Sequence, residues 1–179
     1  ILHIDLEQNL DLIHDTVRYL KQQGKEVIFD AEHFFDGYKN NPVYAEQAIQ
    51  AAEQAGADWL ALCDTNGACF PHEVEAIVQS VRAQTHAPLG IHTHNDTGMA
   101  NANVIAAVRE GATMVQLTLN GIGERCGNAN LWTCVPNLQL KLGYHCIPEA
   151  NMKRLYACAH AFEDIANYNH NPKEPYVGK

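Results

Sequence analysis

The feature that most constrains the fold is a regular alternation of helical and extended segments. In the first segment, apolar residues recur at steps of three and four, which is typical of one face of an amphipathic helix. These residues are Leu6, Leu10, Ile13, Val17 and Leu20. Gly24, Gly56 and Gly111 each follow a helical segment and shortly precede an extended run, as a helix stop should. The chain therefore repeats a helix-stop-strand unit.

The extended runs are short and rich in apolar residues. We predict strands at 26–29, 59–63, 89–94 and 114–119, and further helices at about 45–52, 71–81, 99–110 and 131–142. Pro71 suits the first turn of its helix, whereas Pro136 should disturb the last one. Strands that alternate with helices in this way indicate βαβ units and a parallel sheet. The predicted fold class is therefore α/β.

Length and composition bound the domain organisation. A complete α/β barrel typically needs about 250 residues, and the chain has 179. No linker or low-complexity tract interrupts the first part, but the composition turns polar and proline-containing after residue 166. We predict a partial barrel domain at 1–166, and at 167–179 the start of a linker to a further C-terminal segment.

Charge and cysteine usage exclude several classes of partner. The formal net charge of -9 argues against nucleic acid and anionic membrane surfaces, which both favour basic patches. No apolar run approaches the roughly 20 residues of a membrane span. Six cysteines occur without a C-x-x-C pair, which is typical of reduced thiols. We expect a cytoplasmic protein that binds neither nucleic acid nor membranes.

Polar side chains follow each predicted strand at its carboxyl end. They are Asp30, Glu32 and His33; Asp64, Thr65 and Asn66; His92, His94, Asn95 and Asp96; and Asn120, Glu124, Arg125 and Asn128. The active sites of α/β proteins form where the carboxyl ends of parallel strands meet. Four clusters in series therefore predict one shared site.

His92 and His94 form the sharpest pair in the sequence. Residues two apart on a strand project from the same face, so both imidazoles could bind one metal ion. The alternative is a pair of histidines that only form hydrogen bonds within the sheet. The neighbouring Asn95 and Asp96 favour the metal hypothesis, because they add polar groups at the same strand end.

Two other candidates are less specific taken alone. Asn128 ends a loop in which three glycines occur within seven residues, and such a loop permits close backbone approach to a ligand. An asparagine in this position could equally cap a helix. Glu32 could be an acid, a base or a solvated loop carboxylate.

Four sequence motifs narrow the possible roles of these residues. They are FDAEHFFDGY at 29–38, CDTNG at 63–67, HTHNDTG at 92–98 and NGIGERCGN at 120–128. Together they resemble the acyl-CoA Claisen-condensing synthases, TIM-barrel metalloenzymes that make citramalate, 2-isopropylmalate or homocitrate. The resemblance covers nearly the whole chain. The first string is most similar to the citramalate synthase branch, which condenses acetyl-CoA with pyruvate in branched-chain amino-acid biosynthesis.

The resemblance implies a role for each candidate residue. His92, His94 and Asn128 would be ligands of a divalent metal ion, for which Zn, Mn, Co and Mg are all compatible. Thr65 would bind the carboxylate of the 2-oxo acid, and Glu32 would be the catalytic glutamate that assists proton transfer. Acetyl-CoA would be the second substrate, and the intact protein would be a homodimer.

Two elements of the family pattern do not occur in the chain. These are an Asp-Arg-Glu signature on the first barrel strand and a later H-K-x-G-like segment with a catalytic histidine. We therefore interpret the chain as the C-terminal half of a (βα)8 barrel, strands five to eight, which is inactive alone. Three alternatives remain: a carbon-carbon lyase or aldolase of the same superfamily, a metal-dependent hydrolase, and a non-catalytic barrel paralogue.

Overall fold

The structure, a computed structural model, describes residues 3–179, so the first two residues of the predicted domain lie outside it. Eight α-helices and four strands are assigned in this range. In chain order they are α1 (Leu6–Gln22), β1 (Ile28–Ala31), α2 (Phe34–Asn40), α3 (Pro42–Gln54), β2 (Trp59–Asp64), α4 (Pro71–Arg82), β3 (Leu89–Thr93), α5 (Ala100–Arg109), β4 (Met114–Gln116), α6 (Leu131–Pro136), α7 (Glu149–Met152) and α8 (Leu155–Ala166).

The four strands form one parallel sheet in the order β1-β2-β3-β4. Each neighbouring pair of strands is joined by at least one helix, which is the crossover connection that parallel strands require. The α/β class and the parallel sheet are therefore confirmed. The register places Cys63 beside His92, and His92 beside Gln116.

The hydrophobic core lies on one face of this sheet. Leu60, Leu62, Leu89 and Ile91 are at most 1% exposed and pack with apolar residues of the helices. Side chains alternate along a strand, so the residues between them point to the opposite face. We call this opposite side the open face; it carries Asp30, Ala61, Cys63, Gly90, His92 and Gln116.

Local signals explain where the helices begin and end. Asp5 caps α1, because its carboxylate accepts the backbone N–H of Gln8 at 2.8 Å and the Gln8 side chain accepts the Asp5 N–H in return. Pro71 occupies the first turn of α4, as predicted. Gly56 ends α3 with a φ of +94°, a conformation that favours glycine.

The strand boundaries differ most from the prediction in β1 and β4. β1 begins at Ile28 rather than at residue 26, because the Val27 N–H is bound by the Asp58 carboxylate at 2.7 Å. β4 ends at Gln116 rather than at residue 119. Beyond it, the Thr118 N–H donates to the Ala129 carbonyl at 3.1 Å, so the chain pairs with its own following loop.

In the C-terminal third, α6 packs against α5, and both α6 and α8 contact the turn at 119–121 that follows β4. The predicted helix at 131–142 divides into α6 and a π-helical turn, Asn137–Lys141, directly after Pro136. Residues 167–179, predicted to begin a linker, contain Val177, which is 1% exposed and packs with Trp132 and Ala159. Among the described residues, no helix combines the length and apolar character needed to cross a bilayer.

Candidate metal centre

The candidate site lies at the carboxyl end of the open face. His92 and His94 point to this side, with their ring centroids 5.2 Å apart. Thr93, between them, points towards the helices, where its hydroxyl donates to the Ala100 carbonyl at 3.1 Å. The H-x-H spacing therefore places both imidazoles on one face, as the strand period requires.

A chain of hydrogen bonds fixes the His92 ring. Its Nδ1 lies 2.9 Å from the Gln116 Oε1, and the Gln116 Nε2 donates to the Asp30 carboxylate at 2.8 Å. Because the amide oxygen only accepts, the proton of neutral His92 is placed on Nδ1. The lone pair is then on Nε2, and ligand histidines in metal sites are commonly oriented in this way.

His94 occupies a more enclosed position, and its residue is 7% exposed. Burial lowers the pKa of the His94 imidazole, and the electrostatic influence of the neighbouring His92 and Arg125 lowers it further. Both causes favour the neutral ring, which is the form that binds a metal ion. Its Nδ1 is buried without a hydrogen-bond partner among residues 3–179.

The glycine-rich loop brings Asn128 next to the histidines. The backbone of Asn128 forms an isolated bridge with His94, and its N–H donates to the Gly121 carbonyl at 2.9 Å. A Cβ at Gly123 would overlap the Asn128 Oδ1, and a Cβ at Gly127 would overlap the Gly121 oxygen. The loop can therefore close on Asn128 only with glycine at these positions.

The three predicted ligands converge on one point. The His92 Nε2 lies 3.3 Å from the His94 Nε2 and 3.0 Å from the Asn128 Nδ2. Ligand atoms with metal bonds of about 2.0–2.2 Å lie roughly 3 Å from one another around one ion. Rotation of the amide by 180° would present the Asn128 oxygen instead of its nitrogen. The arrangement therefore fits a divalent metal ion.

Glu32 and Thr65 meet at the ends of β1 and β2. The Thr65 hydroxyl donates to the Glu32 Oε2 at 2.7 Å and accepts the backbone N–H of His33 at 2.8 Å. Glu32 is exposed. The two residues predicted to act on substrate are therefore hydrogen-bonded to each other, although they are 33 positions apart in sequence.

Arg125 connects the loops that carry these groups. Its guanidinium forms two hydrogen bonds to the Asp96 carboxylate, at 2.8 and 3.0 Å, and donates to the Thr65 carbonyl at 2.6 Å. Hydrogen bonding to Arg125 lowers the pKa of the Asp96 carboxyl. This ion pair ties the glycine-rich loop to the ends of β2 and β3.

One member of the predicted polar clusters does not belong to the site. Asp64 is fully buried on the helix-covered face, where it accepts the N–H groups of Ala68 and Cys69 at 3.2 and 3.3 Å. Burial raises the pKa of its carboxyl. Asp64 therefore shapes the loop after β2, because the strand period turns it away from the open face.

Sequence reasoning assigned no role to Gln116. A signal was present, since Gln116 is the one polar residue inside the apolar run at 114–117. The sequence does not reveal the strand register, and it is this register that pairs the glutamine with His92.

A parallel α/β sheet with imidazoles and loop side chains gathered at its carboxyl edge is the arrangement of α/β-barrel enzymes. The profile of the HMGL-like family matches residues 1–161, and the chain belongs to this family. It is 52% identical to the (R)-citramalate synthase of Aquifex aeolicus, over 99% of this chain and 34% of that protein. It is 35% identical to a homocitrate synthase of Methanopyrus kandleri, over 99% of this chain and 44% of that protein.

Among solved structures, the chain is similar to the HMG-CoA lyase of Bacillus subtilis, with a TM-score of 0.76. The match covers 96% of this chain and 59% of the lyase at 21% sequence identity, and it establishes a shared fold alone. The chain spans about a third of the length of the citramalate synthase that it matches.

Proposed function

We propose that this chain supplies strands five to eight of the barrel of an acyl-CoA-dependent synthase, which condenses acetyl-CoA with a 2-oxo acid. The observation that carries the proposal is the convergence of His92, His94 and Asn128 at the carboxyl end of the sheet. In this proposal residues 1–166 form the partial barrel, and 167–179 lead to the segment with the remaining catalytic groups. The intact protein is then a cytoplasmic homodimer.

His92, His94 and Asn128 would hold a divalent metal ion. When bound, such an ion supplies Lewis-acid stabilisation of negative charge on the oxygens of the 2-oxo acid. The protein's own contribution is orientation. Gln116 fixes the His92 ring through Nδ1, and the glycine-rich loop fixes the Asn128 amide.

The pair of Glu32 and Thr65 would act on substrate. The Thr65 hydroxyl has one proton, which it donates to Glu32 in the structure described here. When that proton turns to the carboxylate of a 2-oxo acid, the Glu32 Oε2 loses its hydrogen-bond donor and is free to accept a proton. Binding of the acceptor would thereby prepare Glu32 to assist removal of a proton from the acetyl group.

Pyruvate is the acceptor that we favour, with citramalate and CoA as products. The residues at 29–38 support this choice, as does the higher identity to a citramalate synthase than to a homocitrate synthase. The second candidates in the same reaction class are 2-oxoisovalerate and 2-oxoglutarate.

The test is a comparison of acceptors with the intact protein. CoA release from acetyl-CoA, followed with a thiol reagent, should give the highest kcat/KM with pyruvate. A higher value for 2-oxoisovalerate or 2-oxoglutarate would move the protein to the isopropylmalate or homocitrate branch. If folded, metal-loaded protein releases no CoA with any of these acceptors, the synthase proposal itself is contradicted.

A further inference from the structure

Three side chains outside the candidate site form a second cluster near the C-terminus. His160 and Glu163 lie one helical turn apart on α8, and His170 follows the helix. The Glu163 Oε2 lies 3.2 Å from the His160 Nδ1 and 3.0 Å from the His170 Nδ1. One potential ligand atom from each residue lies within 4.8 Å of the other two.

Glu163 is an unusual carboxylate in this molecule because it is only 6% exposed. Among residues 3–179 it forms no salt bridge to lysine or arginine, and its ion-pair partners are the two imidazoles. Its second oxygen accepts the Asn120 side-chain N–H at 3.0 Å. Buried carboxylates are generally paired with a charge or bound to a metal ion.

The two imidazole rings lie against each other with their planes tilted by 45°. Their ring centroids are 4.1 Å apart, and the Nε2 of each ring is buried without a hydrogen-bond partner among the described residues. Polar contacts of the two rings within the described range therefore pass through Glu163. The side chains of His160 and His170 remain 25% and 24% exposed, so an ion could reach the cluster from solvent.

We propose that His160, Glu163 and His170 bind a divalent transition-metal ion such as Zn²⁺, at a site distinct from His92, His94 and Asn128. Two imidazoles and one carboxylate are a donor set that Zn²⁺ accepts in tetrahedral sites. Bonds of about 2.0–2.2 Å place tetrahedral ligand atoms roughly 3.3–3.6 Å apart. The two Nδ1–Oε2 distances, 3.2 and 3.0 Å, are close to this spacing.

The ion would join the C-terminal segment to the candidate site. Glu163 contacts Asn120, and the Asn120 Oδ1 in turn accepts the indole N–H of Trp132 at 2.6 Å. Asn120 has a φ of +54° and directly precedes the glycine-rich loop that carries Asn128. A metal ion at Glu163 would therefore fix the base of that loop.

The test counts bound ions in the intact protein after removal of any polyhistidine tag. Protein stripped with a chelator is loaded with Zn²⁺, separated from free ion, and its bound metal is measured by emission spectroscopy. We expect two ions in the wild type, one in His92→Ala, one in His170→Ala and none in the double variant. The exposed His145, changed to alanine, is the matched control and should leave two.

These counts separate the two metal proposals. If only the His160 cluster binds Zn²⁺, His170→Ala holds none and His92→Ala still holds one. If His170→Ala holds as many ions as the wild type, the second site does not exist.

A second measurement guards against a folding defect in His170→Ala. In the His92→Ala background, Glu163→Gln keeps the side-chain volume but removes the carboxylate. Loss of a direct ligand should weaken Zn²⁺ affinity by at least about tenfold, the lower end of what outer-shell changes cost. Zn²⁺ should also raise the Tm of His92→Ala more than that of the Glu163→Gln double variant. Equal affinities and equal Tm shifts would show that the cluster is an ion-pair network alone.

Discussion

The two faces of the sheet use the same strands for different purposes. On the helix-covered face, Leu60, Leu62 and Ile91 are fully buried and pack with the helices. On the open face, Asp30, His92 and Gln116 form a polar chain towards the candidate metal centre. Adjacent positions on one strand thus contribute either core packing or chemistry. The comparison teaches that strand period, rather than position along the chain, separates the two roles.

The largest loss of activity is expected from a substitution on the open face, at His92. In the intact protein, His92→Ala should reduce turnover by more than about 100-fold, because a lost ligand costs more than an altered outer-shell contact. With metal removed from both proteins, the Tm should stay close to that of the wild type, since the removed imidazole is not part of the core cluster. Acetyl-CoA- and pyruvate-dependent CoA release measures the first effect and thermal unfolding the second. Activity within threefold of the wild type at saturating metal would count against a metal role.

A substitution on the helix-covered face, at Leu62, should instead lower stability and leave turnover unchanged. Leu62→Ala removes a side chain that is 0% exposed, and such changes cost about 2–5 kcal/mol of unfolding free energy. Turnover per folded molecule should be kept, because Leu62 points away from the site. Urea unfolding together with activity at low temperature checks both halves. Full stability with lost turnover would break the comparison.

A smaller effect is expected at Gln116, which orients the proposed ligand His92 but is not itself a ligand. Gln116→Met keeps the volume but removes the acceptor for the His92 Nδ1 proton, and should lower metal affinity by about 10–100-fold. Activity should return at high free metal, unlike that of His92→Ala. Titration of activity against buffered metal concentration distinguishes the two variants. An unchanged metal dependence would mean that Gln116 does not orient His92.

The smallest effect should come from the rim of the site, at the pair of Asp96 and Arg125. The pKa of Asp96 is lowered in the folded protein, so its ion pair stabilises the fold above the unfolded pKa of about 3.9. That stability is lost as the pH falls through the folded pKa. The urea midpoint of Asp96→Asn should therefore lie below that of the wild type at pH 7, and the difference should shrink as the pH falls below the unfolded pKa of about 3.9. A difference that is constant with pH would contradict this origin.

The sequence indicated the candidate ligands better than it indicated the residues that orient them. His92 and His94 could be paired from their spacing alone, because a strand has a fixed period of two. Asn128 was a candidate from its glycine-rich loop, and only the resemblance gave it the role of a ligand; its glycine neighbours are explained by the close contacts that they permit. Gln116 was missed, since its partner on β3 depends on the register between two strands 24 positions apart in sequence.

The same distinction holds for the rest of the chain. The α/β class, the parallel sheet and the glycine stops could be predicted from the sequence, since they follow from local period and backbone preference. Three other features depend on long-range packing: Asp64 turns into the core, Glu32 meets Thr65, and His170 returns to Glu163. Contacts of this kind join segments whose separation in sequence carries no periodic signal, so packing alone brings them together.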